Sequence, residues 1–322
     1  MADCRRAVDV ALSSALIAKP PGHLLVAVSG GADSLALAWA AAFVAPTHGF
    51  TLEAVIVDHG LQADSTDVAE RARSILTQMG ISATVVTVSV DGSGNVEDNA
   101  RVARYSALNT RVKDTGAVAV LLGHTLDDQA ETVLLGLTRG SGPGSIRGMA
   151  PYNKPWLRPF LGISRHTTEA CVTDAGYSYW SDPHNTDRRF VRPRLRHDLL
   201  PTMSEILGPG ITDALANTAA LIADDDDHLN SLAAQQLAPL AVTPGQLPVG
   251  PLTDLPSPIR RRVLRAWVRD NVGASMTMAQ TQMVDALVMA WKGQGAVDIS
   301  GAKLRRHEGF LVIDSPHTDL KD

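Results

Sequence analysis

One short stretch, LLVAVSGGADS at residues 24–34, constrains the fold more than any other part of the chain. Its apolar half, residues 24–28, is typical of a buried parallel strand. Two adjacent glycines follow, and they allow a tight turn and the close approach of a ligand to the backbone. A helical pattern rich in Ala and Leu begins directly afterwards, and the free N–H groups at a helix start bind anions. Ser29 and Ser34 can add hydroxyl donors, so the stretch predicts a strand, an anion-binding turn and a helix.

The rest of the first half alternates in the same way between apolar strands and helical patterns. Strands are predicted at residues 51–57, 83–88 and 117–122, and helices at residues 35–45, 64–79, 95–115 and 125–139. This alternation is typical of an α/β fold with a Rossmann-like parallel sheet and helices on both faces. Ser29, Asp58 and His124 each come at or directly after a strand end. Because ligands bind at the carboxyl ends of parallel strands, we expect these three residues along one edge.

The second half changes character after Gly208-Pro209-Gly210, which predicts a domain boundary between residues 1–208 and 209–322. The smaller C-terminal domain is predicted to be mainly helical. Its helices are expected at residues 211–240, 259–272 and 278–291, with a connector at 243–258 and a small sheet or hairpin within 296–314. Residues 191–207 are predicted to be helical in two pieces around Pro201.

Cysteine usage and charge limit the class of protein. The chain has two cysteines, Cys4 and Cys171, which form no paired metal-binding pattern, so a reducing setting is the simple interpretation. With no signal sequence and no membrane-spanning apolar run, a cytoplasmic protein is expected. The net charge of −5 does not itself indicate a nucleic-acid partner. Arginines are nevertheless grouped at residues 188–196 and 260–269, where they could guide a phosphate backbone or form solvated helix faces.

Carboxylates gather in the stretch GHTLDDQAETVLLGLTRGSG at residues 123–142. Thr125 and Asp128 are spaced like a capping box at a helix start. Asp127, Asp128 and Glu131 lie in the first turns, where acidic residues suit the helix dipole. Beside a phosphate site, the same carboxylates could hold Mg²⁺ or orient an attacking amine and accept its proton.

Two arginines and one further aspartate are candidates for phosphate chemistry. Arg101 and Arg104 are three residues apart on a predicted helix and therefore share a face. Their guanidinium groups could bind phosphate, or they could form ion pairs at the surface. Asp33, in the glycine turn, is a further candidate ligand for Mg²⁺.

SGGADS matches the SGGxDS signature of the PP-loop ATP pyrophosphatases, which have an adenine nucleotide alpha-hydrolase-like fold. With further stretches, the chain resembles the tRNA(Ile)-lysidine synthetases of that family. These stretches are VDHGL at residues 57–61, NVEDNARVARY at 95–105, residues 123–142, RGM at 147–149, RPFL at 158–161 and SDPHNTDRRFVRPRLRHDLLP at 181–201. The resemblance is strong over the N-terminal two-thirds and continues weakly to the C-terminus. Pro193 departs from the family pattern, which usually has Asn there.

The resemblance implies a two-step ligation with ATP, Mg²⁺, free L-lysine and a CAU-anticodon tRNA(Ile). ATP adenylates the C2 carbonyl oxygen of the wobble cytidine and releases pyrophosphate. The lysine ε-amine then displaces AMP to form lysidine, and the tRNA changes from AUG to AUA decoding. Whether the chain acts alone or as a homodimer stays open at this point.

The resemblance also implies roles for individual residues. The catalytic set is Asp33, Asp128, Glu131 and Arg101, and the metal ligands are Asp33 and Asp128. The ATP contacts are Ser29, Gly30, Gly31, Ala32, Asp33, Ser34, Asp58, His59, Gly123 and His124. The substrate contacts are Asp127, Arg139, Arg188, Arg189, Arg192, Arg194 and Arg196.

Three other functions compete with lysidine formation. A PP-loop tRNA thiolase would rely on cysteine, but neither Cys4 nor Cys171 follows a predicted strand end. A PP-loop enzyme that amidates a small molecule would turn over without tRNA, and we find no glutaminase pattern. An ATP-binding RNA module without catalysis would keep the glycine turn but would not need the acidic cluster at residues 127–131.

Overall fold

The computed structural model describes residues 1–16, 22–60, 65–89, 96–140, 142–299 and 301–314. The predicted helix starts at residues 64 and 95 lie outside the described residues. The chain folds into two compact units, one formed by Met1–Leu135 with Gly148–Ala219 and the other by Gly136–Arg147 with Ala220–Asp322. The boundary after residue 208 stays a prediction.

The first unit is built on a six-stranded sheet. Its strands are β1 (His23–Val28), β2 (Thr51–Asp58), β3 (Ser82–Thr87), β4 (Ala119–Leu121), β5 (Tyr152–Asn153) and β6 (Trp156–Leu157). Their order is β3-β2-β1-β4-β6-β5, and every neighbouring pair is parallel except β5 with β6. The parallel α/β prediction is confirmed. The strand order reverses between β1 and β4, and such a switch point opens a crevice at the carboxyl ends of the strands.

Helices cover both faces of this sheet, as predicted. Helices α1 (Ala2–Ala15), α2 (Ala32–Val44), α3 (Ser65–Gln78) and α7 (Arg165–Asp174) share the core on one face, and α4 (Val96–Thr115) packs on the other. The further helices in this part of the chain are α5 (Leu126–Arg139), α6 (Pro143–Ile146), α8 (Val191–Arg194), α9 (Leu200–Leu207) and α10 (Ile211–Leu237). Residues 136–139 of α5, all of α6 and residues 220–237 of α10 belong to the second unit. Successive strand residues point to opposite faces. Leu24 and Val26 therefore join one buried core with α1, α2, α3 and α7, whereas Leu25 packs with Leu108 of α4 on the other face.

The helical segment from Val191 to Leu207 differs from its prediction. It has no break at Pro201, because a π-helical turn, Leu195–Leu199, joins α8 directly to α9. Pro201 lies in the first turn of α9, where a residue without an N–H group is tolerated. The wider turn before it absorbs the change in hydrogen bonding that a proline imposes.

The second unit contains α11 (Gly250–Thr253), α12 (Ser257–Val272), α13 (Met278–Met289) and four strands. The strands β7 (Gln246–Pro248), β8 (Val297–Ile299), β9 (Ala302–His307) and β10 (Phe310–Asp314) form an antiparallel sheet in the order β7-β10-β9-β8. The predicted small sheet is confirmed, but the connector prediction for residues 243–258 is wrong, because β7 and α11 lie there. Pro248 stands on an edge strand, the place where a sheet accepts proline.

A buried cluster around Trp267 and Leu304 forms the core of the second unit. In the described ranges, no single helix is long and apolar enough to cross a membrane. Among the described residues, that length and apolar composition are reached only by two consecutive helical segments taken together, Val191–Leu207 and Ile211–Leu237. The chain bends by 96° between these two segments.

Candidate active site

The glycine turn after β1 is held in shape by its own serines. The backbone N–H of Ser29 donates to Oγ of Ser34 at 3.1 Å, and that hydroxyl donates to the carbonyl of Gly31 at 2.9 Å. Gly30 has a φ of +86°, a conformation that side chains rarely adopt. Helix α2 begins at Ala32 without a side-chain cap, so its first N–H groups stay available to an anion.

A cavity of about 620 Å³ lies at this end of the sheet, within the size range of small-ligand sites. Every residue predicted to contact ATP lines this cavity except Gly30. The wall between β1, β2 and α3 is apolar and includes Val28, Ile56 and Val68. The predicted meeting of Ser29, Asp58 and His124 at one edge is therefore confirmed.

The segment that follows β4 approaches the glycine turn closely at residue 123. A Cβ atom on Gly123 would lie 3.1 Å from the backbone carbon and oxygen of Asp33 and 3.2 Å from Cα of Ser34. These contacts are with backbone and not with movable side-chain ends, so one part of the site would have to shift.

Asp128 closes the capping box predicted at the start of α5. Its Oδ2 accepts hydrogen bonds from the backbone N–H of Thr125 at 2.8 Å and from the Thr125 hydroxyl at 3.0 Å. Its Oδ1 lies 3.1 Å from Nη2 of Arg165 and 3.4 Å from Nη2 of Arg196. Burial alone would raise the pKa of Asp128, but Arg165, the Thr125 N–H, His124 and Arg196 together hold it below its ordinary value. Asp128 is therefore an ionised carboxylate on the cavity wall.

The other two acidic residues of this stretch, Asp127 and Glu131, do not line the cavity. Asp127 accepts the backbone N–H of Arg165 at 2.8 Å. Glu131 is completely buried and lies 2.6 Å from Nη2 of Arg196 and 3.2 Å from Nη1 of Arg192. Burial raises the pKa of Glu131 against the opposing effect of these arginines. Both acids therefore hold basic residues in place.

Asp33 lines the cavity at the start of α2. Burial raises its pKa to about 6, although Arg165 and the Thr168 hydroxyl oppose this shift. Nη2 of Arg165 lies 3.3 Å from Oδ2 of Asp33, and the Thr168 hydroxyl donates to its Oδ1. Neither Arg165 nor Thr168 was predicted as a site residue, and no local motif marks them.

The structure separates the two arginines of α4. Arg104 lines the cavity, whereas Arg101 is exposed, with its guanidinium 5.1 Å from the centre of the Tyr105 ring. Burial, and secondarily the charge of Arg101, lowers the pKa of Arg104. Within the described part of the chain, no carboxylate pairs with Arg104. The spacing puts both arginines on one helical face, and the resemblance gives the catalytic role to Arg101. The structure places Arg104 at the cavity wall instead, so a catalytic role of Arg101 stays a prediction.

Two histidines add unpartnered polar atoms to the cavity. Nδ1 of His59 and Nδ1 of His124 are buried without a hydrogen-bond partner among the described residues. Burial lowers the pKa of both rings, that of His124 to about 4, so both are neutral at pH 7. Together with the guanidinium of Arg104, which has no carboxylate partner among the described residues, these atoms fit a polar, anionic ligand such as ATP.

The donor set for Mg²⁺ is small. Among the residues that the structure describes, no three His, Cys, Asp or Glu side chains converge on a metal position. Asp33 and Asp128 both line the cavity, and Mg²⁺ is commonly bound by one or two carboxylates together with substrate phosphates. Both carboxylates also contact Arg165, so they fit an ion that is shared with ATP through the oxygen lone pairs that Arg165 does not use.

The remaining predicted substrate contacts lie around the cavity or away from it. Arg196 lines the cavity and Arg192 contacts buried Glu131. Arg188 pairs with Asp198 at 3.0 Å, and exposed Arg189 pairs with Asp187 at 2.6 Å. The last two members are Arg194, which is exposed on α8, and Arg139, which is exposed at the end of α5 and belongs to the second unit.

Comparison with known proteins finds similar sequences along almost the whole chain. A model described as the PP-loop domain matches residues 5–203, and one described as the TilS substrate binding domain matches residues 247–312. A tRNA(Ile)-lysidine synthase of Mycolicibacterium paratuberculosis is 50% identical over 295 residues, which is 89% of each chain. The one of Thermobifida fusca is 45% identical over 313 residues, covering 96% of this chain and 97% of the relative.

One solved structure supports the fold alone. The U34-tRNA thiolase NcsA from Methanococcus maripaludis, with its [4Fe-4S] cluster, superposes with a TM-score of 0.58 at 18% identity. The match covers 69% of this chain and 79% of the thiolase. By the extent and identity of its sequence matches, the chain belongs to the tRNA(Ile)-lysidine synthase family.

Proposed function

We propose that this protein ligates free L-lysine to C2 of the wobble cytidine of a CAU-anticodon tRNA(Ile), with conversion of ATP to AMP and pyrophosphate. The product is lysidine, and the tRNA then decodes AUA in place of AUG. The observation that carries the proposal is that the SGGADS turn and the LDDQAET helix wall one cavity, in a chain about half identical to tRNA(Ile)-lysidine synthases.

In this proposal the cavity binds ATP and promotes the departure of pyrophosphate. The N–H groups at the start of α2 and the hydroxyl of Ser29 bind the phosphates, and Arg104 neutralises part of their charge. The apolar wall of β1, β2 and α3 accepts the adenine ring. Asp33 and Asp128 would hold Mg²⁺, which when bound supplies further neutralisation of the phosphate charge. The cytidine O2 atom attacks the α-phosphorus, and the bond to the β-phosphate oxygen breaks.

The second step replaces the adenylated oxygen with an amine. We assign Asp128 to binding an amino group of lysine, because an ionised carboxylate on the cavity wall attracts a cation. Buried Glu131 keeps Arg196 and Arg192 in position behind it. The neutral ε-amine of lysine forms the new bond to C2 and gives up a proton, for which we assign the Asp128 carboxylate as acceptor, and the C2–O bond to AMP breaks.

The exposed arginines before and within α8 are suited to the tRNA backbone. The guanidinium groups of these arginines, Arg188, Arg189 and Arg194, are exposed to solvent. Contacts between such groups and phosphates strengthen binding in a salt-dependent way. The second unit, which matches a TilS substrate binding domain over residues 247–312, is assigned to further tRNA contacts.

Labelled-lysine transfer tests this function directly. The purified protein is incubated with ATP, Mg²⁺ and tRNA(Ile) carrying a CAU anticodon, beside the elongator tRNA(Met) with the same anticodon. We expect label only in tRNA(Ile), and none with an Asp33→Ala variant. Sulfur transfer in place of lysine transfer, or turnover without any tRNA, would contradict the proposal and favour the thiolase or the small-molecule amidation.

A further inference from the structure

Helix α7 places one cation between two carboxylates that come from different parts of the site. Nη2 of Arg165 lies 3.3 Å from Oδ2 of Asp33 in the first turn of α2 and 3.1 Å from Oδ1 of Asp128 in the first turn of α5. The Arg165 side chain is 22% exposed, so this contact is mostly shielded from solvent. A single guanidinium nitrogen therefore joins the glycine turn to the acidic helix.

The start of α7 is itself fixed by hydrogen bonds to the same two elements. Ser164 caps the helix through the backbone N–H of Thr167. The backbone N–H of Arg165 donates to Asp127, next to Asp128 in the chain. The Thr168 hydroxyl contacts Asp33 and the carbonyl of Arg165. Thr168 thus touches only the carboxylate of the glycine turn, whereas Arg165 touches both carboxylates.

We propose that Arg165 is a positioning residue that couples the ATP-binding half of the site to the lysine-binding half by holding Asp33 and Asp128 at a fixed separation. This inference rests on the proposed function, in which Asp33 and Asp128 would together hold Mg²⁺ for the adenylation step and Asp128 also binds lysine in the second step. Arg165 lines the cavity and acts in this proposal through its contacts to the two carboxylates.

Electrostatics explains why such a bridge is needed. Two carboxylates that face one cavity repel each other, and the repulsion grows as water is excluded. A cation shared between them converts the repulsion into attraction and sets their spacing. Because the bridge uses one nitrogen atom, a lysine ammonium at residue 165 can replace it in part, whereas an uncharged side chain cannot.

Three variants separate this role from a merely structural one. Arg165→Met removes the charge and keeps most of the volume, Arg165→Lys restores a charge, and Thr168→Val removes only the contact to Asp33. The matched control is Arg111→Met, because Arg111 forms a partly buried pair with Glu53 at 2.7 Å and does not line the cavity. Adenylation is followed by pyrophosphate release without lysine, and the lysine step by the KM for lysine. Melting temperatures of the ligand-free proteins report stability.

Loss of hydrogen bonds to charged groups sets the scale of the expected changes. In Arg165→Met, adenylation slows by about tenfold or more and the KM for lysine rises by about tenfold or more. Arg165→Lys recovers part of both losses. Thr168→Val slows adenylation but leaves the KM for lysine within about twofold. Arg111→Met lowers the melting temperature and leaves both kinetic readouts near those of the unmodified protein.

Several results would overturn the inference. Arg165→Met could keep both readouts within twofold, or it could lose activity only in proportion to unfolded protein, with an unchanged KM for lysine. Arg165→Lys could fail to rescue, or Thr168→Val could raise the KM for lysine as much as Arg165→Met does. Absence of lysine transfer by the unmodified protein would instead reject the proposed function and this inference with it.

Discussion

At the scale of single residues, the cavity contains buried histidine nitrogens that have no partner among the residues that the structure describes. Nδ1 of His59 and Nδ1 of His124 are buried at the cavity without a hydrogen-bond partner among the described residues. The guanidinium of Arg104 lines the same cavity, 5.7 Å from the centre of the Tyr105 ring, and pairs with no carboxylate in the described part of the chain. Leaving a buried polar group unpaired costs free energy, so the pattern is that of a site whose ligand supplies the missing contacts.

The pair Arg101 and Arg104 gives a direct test at this scale. Arg104→Met should lower kcat/KM for ATP by about tenfold to a hundredfold, since a hydrogen bond to a charged group contributes ~1.5–3 kcal/mol. Arg101→Met, one helical turn away and exposed, should change it by less than about threefold. Steady-state adenylation kinetics check both variants. An equal loss in both, or a larger loss in Arg101→Met, would contradict the assignment of Arg104 to the phosphates.

His124 gives the ligand-free protein a sensitivity to acid. Its folded pKa of about 4 lies below the ordinary value of 6.5, so between these values the unfolded chain binds a proton that the folded chain does not. Above pH 6.5 the titration of His124 does not change the free energy of unfolding. As the pH drops from 6.5 towards 4, the free energy of unfolding falls. At pH 5 the loss is about 2 kcal/mol. Between pH 7 and pH 5, urea unfolding should show a smaller loss of unfolding free energy for His124→Asn than for the unmodified protein. An equal loss in the two proteins would show that His124 is not the cause of the acid sensitivity.

At the scale of elements, the site depends on how closely the segment that follows β4 approaches the start of α2. Gly123 allows this contact, because a Cβ there would press on the Asp33 backbone at 3.1 Å. The capping box of α5 then begins two residues later, so the position of the glycine turn and that of the acidic helix are linked through one short connection.

Replacement of that glycine should displace the phosphate-binding turn. Gly123→Ala is expected to raise the KM for ATP by about tenfold, because overpacking a tight contact costs ~1–3 kcal/mol. Gly162→Ala is the matched control, since a Cβ there meets no atom within 4 Å and its φ is not positive. Adenylation kinetics at varied ATP concentration check the pair, and an unchanged KM for Gly123→Ala would contradict the close approach.

At the scale of the whole molecule, both cysteines lie in the core and not at the edge of the sheet. Cys4 of α1 and Cys171 of α7 are fully buried in the same apolar cluster, and neither lines the cavity. The fold resembles that of a thiolase with an iron–sulfur cluster, yet the described residues bring no cysteine to the site. The similar fold therefore does not imply the cysteine chemistry of the thiolase.

Removal of both cysteines tests whether lysine transfer is independent of cysteine chemistry. The double variant Cys4→Ala with Cys171→Ala should keep lysine transfer within about twofold, while losing stability by ~1–3 kcal/mol through the cavities left in the core. Lysine transfer and urea unfolding of the same preparation check the two halves of the expectation. Loss of transfer in a folded double variant would point to cysteine chemistry.

Local patterns in the sequence were enough to predict the sheet, the glycine turn, the capping box and the edge at which ligands bind. Each of these features depends on residues that are neighbours in the chain. The same patterns missed β7, whose pairing with β10 is decided by a strand far along the chain. They also missed the continuous helix through Pro201, because the π-helical turn that accommodates this residue is not visible as a periodicity.

The sequence by itself determined the fold class, the family and the two motifs that wall the cavity. Only the tertiary structure decided which arginine of α4 faces the cavity and which carboxylates hold arginines instead of lining it. It also brought Thr168 to Asp33 across 135 residues and set Arg165 between Asp33 and Asp128. Short motifs encode local backbone geometry, whereas contacts between distant elements exist only after the helices pack on the sheet, since that packing sets the distances on which charge interactions depend.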